Sequence, residues 1–329
     1  MKSIYPIAML ALAASFTACS NDDNDNPYVK GDTDTMISFA NPFINNSVKG
    51  QRAATPTTKE NLDAFKVWGF VIDPGSVVFD GANVTRDGND WKIDQTEYWY
   101  LGKPYYFTAI AGDADNYIFT PLTSAAPAPY QGGGTLKFDN AKAEGEDDLI
   151  YAFENIQYDD TAAVKPVPLT FSHLLSQVVF EFKNQMTANT SLVIKNLKMQ
   201  DVPASGTIEF YGTNEWVASA VDNFTIEDID TDLKFAFNHS VISEPSYIIP
   251  ETASYGIEFD VDVYNADNLM ATYHHSLSIP PTTFVKGNSY KFVATLQPEN
   301  INPGQQLLPI EFTVQDVEQW IENDEVNIN

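Results

Sequence analysis

Tyr255-Gly256-Ile257-Glu258-Phe259-Asp260-Val261-Asp262-Val263 decides the fold class. Apolar side chains at 255, 257, 259, 261 and 263 alternate with glycine and carboxylates at 256, 258, 260 and 262. A period of two puts the apolar set on one face of an extended strand and the acids on the other. Wound as a helix, the same residues would be scattered around the axis, with no apolar stripe. The period returns at Tyr290, Phe292, Ala294 and Leu296, at Val178, Phe180 and Phe182, at Ile208 and Phe210, and at Ile310, Phe312 and Val314. The expectation is a mainly β chain built as sandwiches. Long helix-period segments are missing, and Asp316 to Asn323 is expected to form at most a short helical turn around Trp320.

Composition agrees. The chain has 329 residues, 21 Phe and 16 Tyr, and these aromatics sit in short alternating runs that suit a pleated, half-buried surface. Its length suggests roughly two domains of about 150 residues each. The formal net charge is −27. That excludes nucleic acid as a natural partner, because such binding rests on clustered Lys and Arg neutralising phosphates.

The N-terminus reads as an export signal. Lys2 supplies the positive start, Ile4 to Phe16 a short apolar run, and Thr17-Ala18 small residues before Cys19, the single cysteine. A spanning helix needs about 20 apolar residues, and here the sequence turns at once into Ser20-Asn21-Asp22-Asp23-Asn24-Asp25. Residues 1–18 are therefore expected to be a lipoprotein signal peptide, with acylation on Cys19. Once Cys19 carries lipid no thiol is left for a disulfide, so stability must come from packing.

Residues 19–35, polar and acid-rich, read as a flexible tether. The first strand candidate is Met36-Ile37-Ser38-Phe39-Ala40, in which Ile37 and Phe39 share one face. A loop rich in Gly, Thr and Asn follows from Asn45 to Asn61 and contains Arg52-Ala53. Strand-like sequence resumes at Phe65 to Phe70, with a hairpin turn at Asp87-Gly88, a Tyr-rich strand at Tyr105-Tyr106-Phe107, and a Pro/Gly-rich loop from Pro121 to Gly134. Tyr158 to Pro168, with Asp159-Asp160 and two more prolines, reads as a linker. The expected domains are residues 36–160 and 161–329.

The residues give little support to catalysis. There are four histidines and no Gly-x-Ser-x-Gly elbow. His173, within Phe171 to Leu175, reads as a hydrogen-bonded structural group. His274-His275 would point to opposite faces of a strand, which is wrong for joint metal ligation. The acid clusters at 113–116 and 144–148 lack the Gly and Glu spacing of an EF-hand. A carboxylate pair for glycoside hydrolysis is a matter of spatial separation, and nothing in the sequence selects one. No phosphate loop, dinucleotide fingerprint or zinc spacing occurs. The expectation is a protein without enzymatic activity, cofactor or metal. Trp68, Trp91, Trp99 and Trp216 offer a second class of reading, a non-catalytic carbohydrate-binding outer-membrane lipoprotein, provided that two or more lie exposed in a row on one face.

An ordered set of stretches resembles the fimbrillin-like lipoproteins, the type V pilus subunits of Gram-negative anaerobes. It consists of Asn61-Leu62 with Phe65 to Phe70, Tyr105-Tyr106-Phe107, Asp148-Leu149-Ile150-Tyr151-Ala152, Pro168 to Phe182, Tyr247-Ile248-Ile249-Pro250, Lys286 to Tyr290, and Ile310 to Thr313 leading to Trp320. The resemblance implies two tandem transthyretin-like β-sandwich domains. It also implies assembly with other fimbrial subunits by strand exchange, in which an edge strand is lost and a neighbour's strand fills the groove. In the family's stalk subunits the lost strand precedes an arginine cut by an outer-surface protease. Arg52-Ala53 occupies that place here, and Met36 to Ala40 is the strand it would release. Tip and anchor subunits need not be cut. The C-terminus, nine residues beyond Trp320, is a donor candidate. The function implied is a structural subunit of a surface fimbrium that supports adhesion or biofilm formation. It would stand on the outer membrane through Cys19 and have room for a receptor on a host or bacterial surface.

Overall fold

The computed structural model describes residues 35–44, 57–58, 61–72, 75–122, 133–143, 145–210, 213–225, 233–305 and 307–319. The signal, most of the tether, Cys19, Arg52, Ala53 and Trp320 lie outside the described residues. The fold is mainly β. Residues 256–263 of the alternating stretch lie in a ten-residue strand, Gly256–Asn265, with Ile257, Phe259 and Val261 buried.

Among the described residues there are three large sheets and a two-stranded one, Thr252–Ala253 with Thr282–Thr283. The first runs in the order Phe43–Ile44, Thr170–His173, Ile150–Gln157, Pro104–Ala111, Ala64–Val71, Ser76–Asp87 and Asp90–Ile93. Every ladder in it is antiparallel except that of Phe43–Ile44 on Thr170–His173. Gly88, with φ 67°, turns the hairpin between Asp87 and Asp90. Glycine is needed there because a Cβ penalises that left-handed conformation. The second sheet has Ser176–Asn184 at its centre, parallel to Asn288–Leu296 and antiparallel to Ser240–Ile242 and Ser246–Ile248, with Phe312–Gln319 on the far edge. The third is organised on the 20-residue strand Thr190–Glu209, which pairs with Gly256–Asn265, Trp216–Thr225, Phe235–Ala236 and Gly134–Phe138. Asn268–Ser278 and Tyr117–Pro121 close its edges. Two register shifts bend the long strand, beside Asn196 (φ 53°) and Asp201 (φ 59°). Asn and Asp are the side chains that tolerate that conformation best in a bulge.

The second and third sheets face each other across one core. Phe180, Phe182 and Phe292 meet Ile194, Met199, Ile257 and Phe259 there. The inner face of the first sheet has its own core, built from Phe65, Val67, Phe79, Trp99, Tyr105, Phe107 and Phe171. Its outer face carries Trp68 and Ile110 into a third cluster with Tyr117, Phe119, Leu136, Phe138, Leu174, Leu175, Ile208, Tyr247 and Ile249. Trp68 meets Phe119 edge-on at 4.7 Å.

Hydrogen bonding does not divide at residue 160. Residues 158–168, expected as a linker, connect two strands that pair with each other, Ile150↔His173 and Ala152↔Phe171. The segment packs on the first sheet: Tyr158 lies edge-on to Trp99 at 4.9 Å and its hydroxyl donates to the Lys165 carbonyl at 3.0 Å. Its prolines at 166 and 168 flank Val167, whose own amide donates to the Ser38 carbonyl at 2.8 Å, so the N–H groups they lack are not the ones this contact uses. The chain passes to the second sheet at Leu174–Leu175 instead. Conversely, Tyr117–Pro121 and Gly134–Phe138 join the third sheet. The expected helical turn at 316–323 is not formed over its described part, 316–319. Residues 312–319 are a strand registered on Asn288–Leu296, with one irregularity between Tyr290 and Lys291, because ladder pairing along an open edge outweighs weak local helix propensity.

His274 and His275 do face opposite sides of their strand. His274 lies on the surface 2.8 Å from Asp260, whereas His275 is buried against the Phe259 ring at 5.1 Å. Burial holds the His275 imidazole below its ordinary value of 6.5, and His274 adds to this, against a backbone hydrogen bond at Ile301 and the Asp260 charge. The unfolded chain therefore binds the proton more readily, so this site's contribution to stability is present above about pH 6.5 and is lost as the pH falls through the lowered folded value. Urea unfolding between pH 5 and 8 is expected to show stability falling on the acid side, and His275→Phe to flatten that slope. An identical slope in the variant would contradict the assignment.

Candidate functional site

The segment from Thr35 to Ile44 lies over the inner face of the first sheet. Its inward residues Ile37, Phe39 and Ile44 are buried, at 0%, 5% and 0% exposure, while Met36 is 38% exposed. Phe39 makes the aromatic contacts. Its ring meets Phe65 at 6.0 Å and Phe107 at 5.8 Å, both edge-on, and Phe79 at 6.2 Å. Gly69 keeps the floor of this site flat, because a Cβ there would come within 2.9 Å of Phe79 and 3.1 Å of Phe107.

The backbone is held differently from the side chains. Met36 to Ala40 is not the continuous strand expected from its pattern. It makes two isolated bridges on opposite sides, Met36 with Tyr98 antiparallel and Phe39 with Val167 parallel. The Ile37 amide donates to the Glu97 carbonyl at 2.8 Å and the Ala40 amide to the Val167 carbonyl at 2.9 Å. Pro42, which has no N–H to give a ladder, precedes the two-residue strand Phe43–Ile44, and the Phe43 amide bonds the Leu169 carbonyl at 2.9 Å. The Trp99 amide also donates to the Thr35 carbonyl at 2.9 Å and the Val167 amide to the Ser38 carbonyl at 2.8 Å, and burial adds about 1.5–3 kcal/mol for each fully buried large apolar side chain.

The chain is described again at Thr57–Thr58. The Thr57 amide donates to Asp148 Oδ2 at 2.7 Å, and Asp148 Oδ1 lies 2.8 Å from Nδ1 of His173. The His173 side chain has no exposure and that of Asp148 only 5%. An imidazole sealed this way cannot reach a substrate from solvent, so the pair acts on the chain rather than on a ligand. Asp147 next to it caps the other acid cluster: both its oxygens accept from the Asp113 amide at 3.0 Å. Burial pushes the Asp147 carboxyl up, against the hydrogen bonds from Asp113 and Asn116. No group of three or more His, Cys, Asp or Glu among the described residues is arranged to hold a metal ion. Nor is any helix among them long and apolar enough to cross a membrane.

The tryptophans do not form a platform. Trp68, Trp91 and Trp99 are buried in cores, and Trp216 is half-buried, its Nε1–H donating to the Leu174 carbonyl at 2.7 Å. The exposed row that sugar stacking requires is not made by these residues.

No curated protein matches the chain. A crystal structure of a fimbrial protein from Bacteroides vulgatus matches at a TM-score of 0.63 and 16% identity, covering 87% of this chain and 99% of that one. At that identity the likeness is one of fold. A candidate cell adhesion protein from Bacteroides ovatus covers 87% of this chain and 98% of its own, at 14% identity and a TM-score of 0.46. A candidate adhesin from Bacteroides thetaiotaomicron covers 88% and 98%, at 9% and 0.45. The model of the fimbrillin-like family matches residues 52–316. With most of its length inside that match, the chain belongs to the fimbrillin-like family.

Proposed function

We propose that this protein is a structural subunit of a surface fimbrium, exported as a lipoprotein through Cys19 and assembled by β-strand exchange. Residues 36–40, continuing to Ile44, serve as the removable strand, and cleavage between Arg52 and Ala53 releases it. The observation that carries this reading is at Thr35–Ile44: Ile37, Phe39 and Ile44 are deeply buried by a segment whose backbone is tied through isolated bridges and a two-residue strand rather than one continuous ladder. A neighbour's extended strand with apolar side chains at alternate positions could take the same pockets and add its own backbone bonds. While the loop is intact the segment is held by its covalent tether at high effective concentration. Once the loop is cut, retention depends on free concentration, and the segment leaves on dilution. The C-terminal strand Phe312–Gln319, on a sheet edge with residues 320–329 beyond it, is the candidate donor. Two domains that lie in line along the fibre, and a lipid discarded at assembly, complete the reading.

The sequence offers a direct test, because its two arginines are Arg52 and Arg86. Arg86 lies in the strand Ser76–Asp87, paired with Trp91, with its amide bonded to the Asp63 carbonyl at 2.8 Å and its guanidinium over the Trp91 ring. Proteases need backbone that can be drawn out in extended form, as exposed polar loops allow and ladders do not. An arginine-specific protease acting on the folded chain is expected to cut once, after Arg52, and the N-terminal fragment to separate on dilution. Cleavage at Arg86 as fast as at Arg52, or a fragment that stays bound at nanomolar concentration, would contradict the proposal.

A further inference from the structure

The same cut raises the question of what keeps the new N-terminus in place. We propose that the buried Asp148–His173 pair is a positioning anchor that pins the cut chain at the Thr57 amide, so that only the segment upstream departs. The inference rests on the cleavage reading above. Asp148 divides its two carboxylate oxygens between the halves of this arrangement. Oδ1 faces His173 Nδ1 at 2.8 Å, and Oδ2 accepts the Thr57 N–H at 2.7 Å across 91 positions of sequence.

Both partners stand on fixed ground. Asp148 precedes the buried Leu149, whose carbonyl accepts from the Leu174 amide at 2.9 Å, and His173 is registered opposite Ile150 at the end of its strand. From the second sheet's side, the Gly287 amide donates to the Leu175 carbonyl at 2.9 Å and closes the region over His173. Downstream of Thr57 the next tie is local: the Leu62 amide donates to the Thr58 carbonyl at 2.9 Å, and Leu62 is buried in the first sheet's core. Thr57 is thus the first described point after the cut at which the chain is bonded to a distant, buried residue. Without it the chain loses this tie to the buried pair, and Leu62 is the next described residue downstream that is buried in the first sheet's core. The freed stretch 53–61 could then lie back across the pockets that the strand had vacated and compete with an incoming one.

The test is residue-resolved amide hydrogen exchange on the mature chain, before and after cutting at Arg52. Thr57 is expected to remain protected at least about tenfold over a free-chain amide in both forms, as a charge-assisted hydrogen bond allows. Asp148→Asn keeps the volume but weakens the acceptor, and is expected to speed Thr57 exchange about fivefold to tenfold while leaving Gly256–Asn265 unchanged. Free-chain exchange at Thr57 in the cut wild type, or unchanged protection in the variant, would overturn the anchor. Failure of the cleavage reading looks different: chains recovered from fibres would be uncut, and Thr57 protection would still be measured on the intact protein.

Discussion

Replacing Phe39 with alanine is expected to lower the unfolding free energy by about 3–5 kcal/mol, the usual cost of emptying a buried phenylalanine site. The ring meets Phe65, Phe79 and Phe107 from three sides, and Gly69 leaves no side chain beneath to collapse into the space. Ser38, half-buried and turned outward beside it, is the control. Ser38→Ala is expected to stay within about 0.5 kcal/mol. Urea unfolding separates the two outcomes, and equal midpoints for both variants would show that the segment does not plug the core. The same substitution has a second consequence. In chain cut at Arg52, the Phe39→Ala fragment should dissociate faster than the wild-type fragment, because burial of the ring is part of the hold left once the covalent link is gone. A synthetic peptide spanning residues 34–45, added in excess, should restore part of the stability of cut chain, and the same peptide with alanine at position 39 should restore less.

How far the sequence carried the fold depends on the range of the interactions. The strands at 178–182, 255–263 and 290–296 were legible because each buries one face, and a period of two is a local signal. The pocket-facing pair Ile37 and Phe39 was legible for the same reason. Their backbone was not: whether a short segment forms a ladder depends on partners at Tyr98 and Val167, far away in sequence, and on the interruption at Pro42. The prolines and acids of 158–168 misled as a boundary because an edge connection within a sheet and a linker between domains have the same composition. The attachment of Tyr117–Pro121 and Gly134–Phe138 to the third sheet had no local signal, since what decides it is the register of Leu136 on Ile208. Of the candidate site, His173 was read as a hydrogen-bonded structural group, but its partner Asp148 looked like one more acid in a solvated run. Nothing in the run 144–148 shows that Asp147 and Asp148 turn inward while Glu146 stays exposed.

Arg52→Ala is expected to have the largest effect, an all-or-none loss of this subunit from fibres. If the strand at Thr35–Ile44 fills the groove that a neighbour must occupy, an uncut chain has no vacancy to offer. The competition is unequal. An intramolecular strand acts at an effective concentration near the millimolar range, and an incoming strand at ordinary concentrations cannot match that. Cells carrying the variant should accumulate full-length lipidated protein at the outer membrane without polymer. Arg52→Lys with a lysine-specific protease supplied outside should restore assembly, which separates loss of cleavage from loss of folding.

The fate of the first 52 residues decides how the subunit assembles, and N-terminal sequencing of this subunit from purified surface fibres reads that fate directly. The prediction is a free N-terminus at Ala53, with Ile37 and Phe39 absent from the fibre. A blocked, acylated Cys19 on every copy in the fibre, with no Ala53, would contradict it.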